Sequence, residues 1–391
     1  MPKTLIAAIT IFLLLILQMS TDIYLPSFPY IAQDLIATQT SVQLTLSLFL
    51  GGFAVSQLFY GPLSDYFGRK PILLFGILFF LLMNILSIFV VNIDQLLWLR
   101  FLAGVGGGSC SVVSRAITRD IFTGKSLEKI ASYQLITWSI IPIIAPLIGS
   151  YIQHYSGWRY NFIFLSIIGI LAVNIIYFLL PETRPIQHKP NSLQIKFTFK
   201  NYFHIISNKQ FIAHIAIAIG FISATMAMSV ELPFLIQSAL GYSVITYGWI
   251  VLATASSFII GTIVSRYLSN ILSNYHLFII GLSIITLASF SMLLFALFGV
   301  FNVWTLMIPL FIIQLGGAGI FYKAIATCQQ PFANIAGICG ACIGFLCFMG
   351  SMASSAFIST FSSITALPLS GTLFVVALLM YSIWFTLVNK Q

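Results

Sequence analysis

Charged residues are scarce in this chain of 391 residues: Asp, Glu, Lys and Arg make up 6% of it, whereas 59% is hydrophobic. A soluble domain carries roughly 25% charged residues, and polar residues as few as these cannot cover the surface of a soluble monomer. The composition therefore excludes a cytosolic enzyme, a nucleic-acid-binding domain and a disordered chain. It indicates a protein that lies in a lipid bilayer.

The chain also lacks the patterns that hold metals, cofactors or nucleotides. Its five cysteines show no disulfide spacing, and Cys339 and Cys342 lie among small apolar residues without partner ligands. The glycines at 104 and 106–108 follow no strand and precede no Gly-Lys-Ser/Thr, so they form no nucleotide loop. We therefore expect no cofactor, no metal, no drive by ATP and no enzymatic activity.

Long apolar segments are what the chain has instead. About 20 apolar residues cross roughly 30 Å of hydrocarbon, and about twelve segments meet that requirement. We therefore predict an all-α membrane protein with twelve transmembrane helices. The segments are 4–32, 42–66, 71–91, 95–118, 128–151, 159–180, 209–238, 244–267, 274–297, 302–326, 334–362 and 368–388.

Basic residues between these segments lie almost entirely on one side of the membrane. If the loops alternate from the N-terminus, 13 Lys and Arg lie on the side of both termini and only Arg159 lies on the other. Loops rich in Lys and Arg stay in the cytoplasm, so we expect both termini there and the chain in the bacterial inner membrane. The 13 are Lys3, Arg69, Lys70, Arg119, Lys125, Lys129, Arg184, Lys189, Lys196, Lys200, Lys209, Arg266 and Lys390.

A polar stretch from Pro181 to Gln210 divides the segments six and six. It opens with Pro181-Glu182-Thr183-Arg184-Pro185, which ends a helix. Its residues 195–200 mix apolar and basic side chains, and they either lie on the membrane surface or form a solvated loop. We predict an N-terminal six-helix bundle at 1–183, a cytoplasmic linker at 184–208 and a C-terminal six-helix bundle at 209–391.

The two halves contain matching short sequences. Met19-Ser20-Thr21-Asp22 precedes Leu25-Pro26 in the first helix, and Met228-Ser229-Val230-Glu231 precedes Leu232-Pro233 in the seventh, at an offset of 209 residues. Arg115 and Lys323 each follow a glycine by seven residues in the fourth and tenth helices, at an offset of 208. Two matches at nearly one offset favour a duplicated six-helix unit, which is an architecture of transporters.

The loop after the second helix carries the most specific motif, Gly61-Pro62-Leu63-Ser64-Asp65-Tyr66-Phe67-Gly68-Arg69-Lys70-Pro71. Gly61 and Gly68 permit close approach and a tight turn, Asp65 can pair with a cation, and Arg69 and Lys70 are expected at the cytoplasmic surface. This loop closely resembles the signature of the major facilitator superfamily. The resemblance implies two pseudo-symmetric bundles that transport a small molecule by alternating access.

Two further motifs extend the resemblance. Residues 100–104, Arg-Phe-Leu-Ala-Gly, resemble the family's Arg-x-x-Gln-Gly motif with Ala103 in place of glutamine. Pro142, Pro146 and Gly149 lie in a stretch that resembles the fifth-helix motif of antiporters, where they either serve transport or only kink and pack the helix.

A narrower resemblance concerns the substrate. Residues 22–26, Asp-Ile-Tyr-Leu-Pro, and 115–120, Arg-Ala-Ile-Thr-Arg-Asp, resemble the bicyclomycin and chloramphenicol resistance subgroup of drug:proton antiporters. This implies proton-driven efflux of drugs or metabolites. The resemblance is strong in the first half and weak in the second.

Five ionisable residues stand out within the predicted helices: Asp22, Arg100, Arg115, Glu231 and Lys323. A charge there is costly unless it faces a cavity or a partner, and the superfamily's cavity is lined by these same helices. We expect Asp22, Arg100 and Glu231 to serve proton coupling, with protonation of Asp22 releasing an Asp22–Arg100 pair. The alternatives are a permanent pair, or snorkelling of Arg115 and Lys323 to the surface.

Substrate contacts are expected near the same residues. Arg115 and Lys323 would suit a carboxylate, so uptake of a carboxylate-bearing metabolite or siderophore is the alternative to efflux. The expected partners are a small molecule, protons and the bilayer, with the chain acting as a monomer. The predicted substrate-binding residues are Tyr24, Arg115, Glu231, Gln314, Tyr322 and Lys323.

Overall fold

The computed structural model describes residues 2–184, 195–361 and 365–388, which contain helices and no strand. Twelve of the helical segments described are long and apolar enough to cross a membrane, which confirms the predicted all-α membrane fold. The helices are α1 (Lys3–Asp22), α2 (Phe28–Asp34), α3 (Gln39–Phe67), α4 (Arg69–Ile88), α5 (Ile93–Ile121), α6 (Gly124–Ser156), α7 (Arg159–Leu179), α8 (Ile195–Ile206), α9 (Lys209–Pro233), α10 (Val244–Leu268), α11 (Asn274–Leu297), α12 (Val303–Gln329), α13 (Ala336–Ile358) and α14 (Leu367–Val388).

Polar caps mark where several of these helices begin. The side chains of Thr38, Asn92, Ser243 and Asn302 accept hydrogen bonds from first-turn backbone N–H groups at 2.9–3.2 Å. Such caps satisfy donors that have no partner within the helix. Because each cap lies next to an apolar run, the predicted and observed helix starts agree to within a few residues.

The first and seventh membrane spans are each interrupted. α1 ends at Asp22 and is followed by a 3₁₀ turn at Leu25–Ser27 before α2. α9 ends at Pro233 and continues as a π-helical segment, Phe234–Ala239. Proline lacks the N–H that an α-helix needs, and Pro26 and Pro233 lie at these two breaks. The two acids of the sequence match therefore lie at the breaks of their helices.

The packing of the first half recurs in the second. In the first half α3 packs on α5, α4 packs on α5 and α7, and α1 packs on α6. In the second half α10 packs on α12, α11 packs on α12 and α14, and α9 packs on α13. The halves meet where α3 contacts α13 and where α6 contacts α10. Residues on these four helices and on the two broken helices therefore lie where the halves can act on each other.

The predicted linker contains a helix. α8 packs against α9 and α13, with Tyr202 and Ile205 buried. Residues 195–200, for which the sequence left two alternatives, are helical. Residues 185–194, which include Lys189, lie outside the described residues, as does Lys390.

Candidate functional site

Asp22 is enclosed at the C-terminal end of α1, with 4% of its surface exposed. Its carboxylate accepts a hydrogen bond from Gln18 Nε2 at 3.1 Å, and the turn that follows it, Leu25–Ser27, contacts α9 and α10. The acid of the first half therefore lies directly before a segment that meets the second half. Among the described residues no cation pairs with it, so its charge can change without the loss of an ion pair.

Arg100 does not pair with Asp22, and the expected Asp22–Arg100 pair is wrong for this conformation. Its guanidinium donates to the Ser20 carbonyl at 2.7 Å and stacks on the rings of Tyr24 and Phe49, at 4.4 and 4.3 Å from the ring centres. The physical reason is geometric. Helix residues two apart do not share a face, so Arg100 meets the Ser20 side of α1, where the negative end of the helix dipole and two aromatic rings stabilise a cation.

Glu231 makes a hydrogen bond that sequence reasoning missed. It is fully buried and accepts from Gln43 Nε2 at 2.7 Å, and the same amide donates to the Val230 carbonyl at 3.0 Å. Gln43 lies in α3, so the buried acid of the second half is held by the first half. A glutamine inside an apolar segment was the available signal.

Three further hydrogen bonds join the halves at the same end, which is the predicted outer end. Together with Gln43 and Glu231 they form what we call the outer latch, and they hold this end closed. They join Thr40 to the Ser359 carbonyl, Ser47 to Ser355 and Gln237 to the Pro26 carbonyl, at 2.7, 2.8 and 2.9 Å.

Arg115 and Lys323 differ in their surroundings although their positions match in the two halves. The Arg115 guanidinium donates to Gln57 Oε1 at 2.8 Å and to Ser111 Oγ at 2.9 Å. Lys323 is half-buried, and in the part of the chain that the structure describes no oxygen accepts a hydrogen bond from its ammonium. Lys323 is therefore the basic group best placed to meet a substrate.

The remaining predicted substrate contacts divide into two kinds. Tyr24 is fully enclosed and its hydroxyl lies 3.3 Å from Thr45, so it does not line an accessible cavity in this conformation. The Tyr322 hydroxyl lies 2.9 Å from Ser139 of α6 and so connects the halves. Gln314 is buried, and its Oε1 has no hydrogen-bond donor among the described residues. Gln314 can therefore accept from a substrate.

The loop after α3 forms an ion-pair network. Arg69 pairs with Asp65 and, through Nε at 2.9 Å, with Asp120 of α5. It also donates to Ser64 Oγ at 2.7 Å. Arg69 was expected at the surface, but it is 8% exposed, because two carboxylates hold its guanidinium inside. The Lys70 ammonium donates to the carbonyl of Tyr177.

Glu182 completes this network and was not predicted as a site residue. Its carboxylate accepts from the backbone N–H groups of Arg69 and Lys70 at 2.9 and 3.2 Å, which places a negative charge at the N-terminus of α4. Gly68 has a φ of +110°, and a Cβ there would collide with the Glu182 carboxylate. The motif requires glycine at this position for both reasons.

Asp65→Asn is expected to slow transport about fivefold without loss of protein from the membrane. Asp65 is half exposed, so its pair with Arg69 contributes about 1 kcal/mol at most to stability. A free-energy difference of about that size changes the population ratio of two conformations about fivefold. Initial transport rates and membrane content check this. The matched control is Asp94→Asn, because Asp94 is an exposed aspartate in the first turn of α5. Full activity of Asp65→Asn would remove the role assigned to the motif.

The antiporter-like stretch packs α6 against the break in α1. α6 continues through Pro142 and Pro146. A Cβ at Gly149 would overlap the Ile23 carbonyl oxygen, so the glycine permits the two backbones to cross closely. The stretch therefore meets the first half's own helix break, directly after Asp22.

The fold and the site define a class of protein. Two sets of six membrane helices with the same packing, broken first and seventh helices, and buried acids at the breaks are features of secondary transporters. A family model described as Major Facilitator Superfamily matches residues 10–338. The chain belongs to this superfamily, whose members are multi-pass membrane transporters of small molecules.

Curated relatives include proteins named for drug resistance. The chain is 35% identical over 196 residues to a bicyclomycin resistance protein homolog of Haemophilus influenzae, a match that covers 49% of this chain and 48% of that protein. It is 30% identical over 379 residues to the uncharacterized MFS-type transporter YdgK of Bacillus subtilis, covering 95% and 92%. It is 28% identical over 336 residues to multidrug resistance protein D of Escherichia coli, covering 85% and 83%. The resemblance to the bicyclomycin and chloramphenicol resistance subgroup is confirmed.

Solved structures share the fold. A D-xylose–proton symporter matches with a TM-score of 0.78 and 14% identity over 98% of both chains. The xylose transporter XylE of E. coli, in a partially occluded inward-open conformation, matches with a TM-score of 0.72 and 13% identity over 97% of both chains. These matches confirm the predicted major facilitator fold.

Proposed function

We propose that this chain exports small drug-like molecules or metabolites across the bacterial inner membrane in exchange for protons. The observation that carries the proposal is the pair of buried acids, Asp22 and Glu231, at the breaks of equivalent helices. Ionisable groups inside membrane helices are typical of proton relays. The two breaks are themselves joined by the hydrogen bond from Gln237 to the Pro26 carbonyl, so a change of charge there acts where the halves meet.

Asp22 is the group that we assign to proton exchange. Its hydrogen-bond partner, Gln18, is neutral, and it lies directly before the turn that contacts α9 and α10 of the second half. When the halves separate at the outer end, this carboxylate meets water from that side and takes up a proton. When they close, it is enclosed again, and the proton can leave only toward the other side. Drug resistance in the names of relatives supports export as the direction.

The proposed topology has both termini in the cytoplasm. The distribution of 13 basic loop residues against one supports it. Three exposed tryptophans, Trp98, Trp249 and Trp304, lie near the starts of α5, α10 and α12, and such residues favour a membrane–water interface. The recurring packing supports two working units, 1–183 and 209–391, joined by 184–208. The proposed protein is a transporter and not an enzyme, and it works as a monomer.

A second candidate function is transport of a carboxylate-bearing molecule. The observation that favours it is the half-buried ammonium of Lys323, which has no acceptor among the residues that the structure describes. A substrate carboxylate would supply one. The relatives named above give no support to a siderophore as the substrate.

Counterflow in proteoliposomes and ligand titration of wild type and Lys323→Ala test both functions. Export of drugs predicts counterflow of neutral or cationic compounds, with their binding unchanged or tighter in Lys323→Ala. The second function predicts that Lys323→Ala weakens binding of a carboxylate ligand by about 1.5–3 kcal/mol, the scale of a hydrogen bond to a charged group. Lys125→Ala, an exposed lysine at the same predicted end, is the control. Counterflow of no drug would contradict the proposed export.

A further inference from the structure

α8 has two different apolar faces. Tyr202 and Ile205 are buried against the protein. Phe203 and Ile206, which point elsewhere on the same helix, are 77% and 44% exposed. A helix in water gains nothing from a second apolar face, whereas a helix that lies in the membrane interface buries such a face between lipid headgroups.

The basic positions of α8 lie beside the exposed apolar face. Positions 196 and 200, both lysine in the sequence, precede Phe203 by seven and three residues. Residues at these spacings share one side of an α-helix. His204, exposed on the same turn, follows position 200 by four residues. The outward side of α8 therefore combines cationic positions with large apolar side chains.

The location of α8 places this side at the membrane. Only Ser207 and Asn208 separate it from α9, which crosses the bilayer. The exposed apolar surface continues into α9, where Ile212 is 38% exposed. The C-terminal end of α8 therefore lies next to the headgroups.

We propose that the outward side of α8 binds anionic lipid. Phe203 and Ile206 enter the headgroup region, on the side of α8 that carries the two lysine positions, 196 and 200. The charge is complementary, since a stripe of basic residues on an amphipathic helix is attracted to an anionic leaflet. The site is separate from Asp22, Glu231 and Lys323, so the proposal does not depend on the substrate or on proton coupling.

Binding here reaches the transport machinery through one contact. The His204 ring packs edge-on against Phe332, with 5.9 Å between ring centres. Phe332 lies in the 3₁₀ segment Gln330–Ile335, which joins α12 to α13. α13 is the helix that meets α3 of the other half. Lipid held on α8 therefore lies next to the junction of α12 and α13, two helices that carry site residues of the second half.

Lipid titration of the full-length protein tests the proposal. An environment-sensitive fluorophore on Ser207→Cys, in a chain whose own five cysteines are buried, reports on α8 while phosphatidylglycerol or phosphatidylcholine is added to the detergent-solubilised protein. We expect tighter binding of phosphatidylglycerol. Because each lysine near an anionic surface contributes about tenfold or less, the double variant Lys196→Gln/Lys200→Gln should weaken that binding by about 30-fold.

The matched control is Lys125→Gln/Lys129→Gln, two exposed lysines at the same spacing in α6, which should leave binding unchanged. A third variant, Phe203→Asn, tests the apolar part and should weaken the binding of both lipids. Equal affinity for the two lipids, or equal losses in the α8 and α6 double variants, would overturn the proposal. The proposal would also be overturned if the fluorophore at position 207 kept the emission of a label in water when the protein is placed in phosphatidylglycerol vesicles, and if that emission changed only when a soluble protein is added.

Discussion

Asp22→Asn is expected to reduce transport driven by a pH gradient to background while substrate binding is kept. Asparagine has the shape of aspartate and can still accept from Gln18, whose amide lies 3.1 Å from the Asp22 carboxylate. It cannot bind or release a proton. Because Asp22 has no ion pair among the described residues, the variant leaves no cation without a partner, and the fold should tolerate it.

Two assays on the same proteoliposomes separate coupling from transport. Initial rates under an imposed pH gradient should fall to background, whereas counterflow without a gradient should continue. Gradient-driven transport at the wild-type rate would show that Asp22 does not couple transport to protons, and Glu231 would be the next candidate. Loss of both activities together with loss of binding would instead indicate damage to the site.

Gln43→Leu is expected to open the predicted outer end of the transporter. Leucine fills a similar volume but cannot donate to Glu231 and to the Val230 carbonyl, which the amide reaches at 2.7 and 3.0 Å. A hydrogen bond to a charged group contributes about 1.5–3 kcal/mol. Its loss should shift the balance between closed and open outer ends by about 10- to 150-fold.

Distances between spin labels measure this shift. Ile36→Cys and Tyr242→Cys place labels on exposed residues near the outer ends of the first and second halves. The distance distribution should move to longer values in Gln43→Leu. Gln95→Leu, whose amide oxygen accepts only from the Val91 backbone N–H within the first half, should leave it unchanged. An unchanged distribution in Gln43→Leu would show that the outer latch does not depend on this amide.

The sequence predicted the membrane spans well because one local rule governs them. In a bilayer the backbone must satisfy its own hydrogen bonds, so a long apolar run is a helix, and polar caps fix its ends. The predicted span 274–297 and the observed Asn274–Leu297 agree at both ends. The breaks in the first and seventh spans were not predicted, because apolar length carries no information on where a helix is interrupted.

Asp22 and Glu231 were singled out because an ionisable residue in a membrane helix is conspicuous, and the structure shows both acids buried at the breaks of their helices. Their hydrogen-bond partners were not predicted. Gln43 is uncharged and lies 188 residues from Glu231, and the direction in which Arg100 points depends on the rotation of α1 against α5. Such tertiary contacts depend on how the helices pack, and a single sequence does not predict that packing.

The outer latch and the Arg69 ion-pair network differ in their sensitivity to dissolved salt. The donors of the outer latch are amides and hydroxyls, groups without net charge. At the opposite end, Arg69 joins Asp65 and Asp120 through ion pairs, and Asp65 is half exposed. Mobile ions screen exposed charges, but they have little effect on hydrogen bonds between hydroxyls or amides and carbonyls, or on a bond to a fully buried acid such as Glu231. With the proposed orientation, a briny or dilute medium changes the solution around the outer latch, which responds least, while the regulated ionic strength of the cytosol bathes the Arg69 network, which responds most.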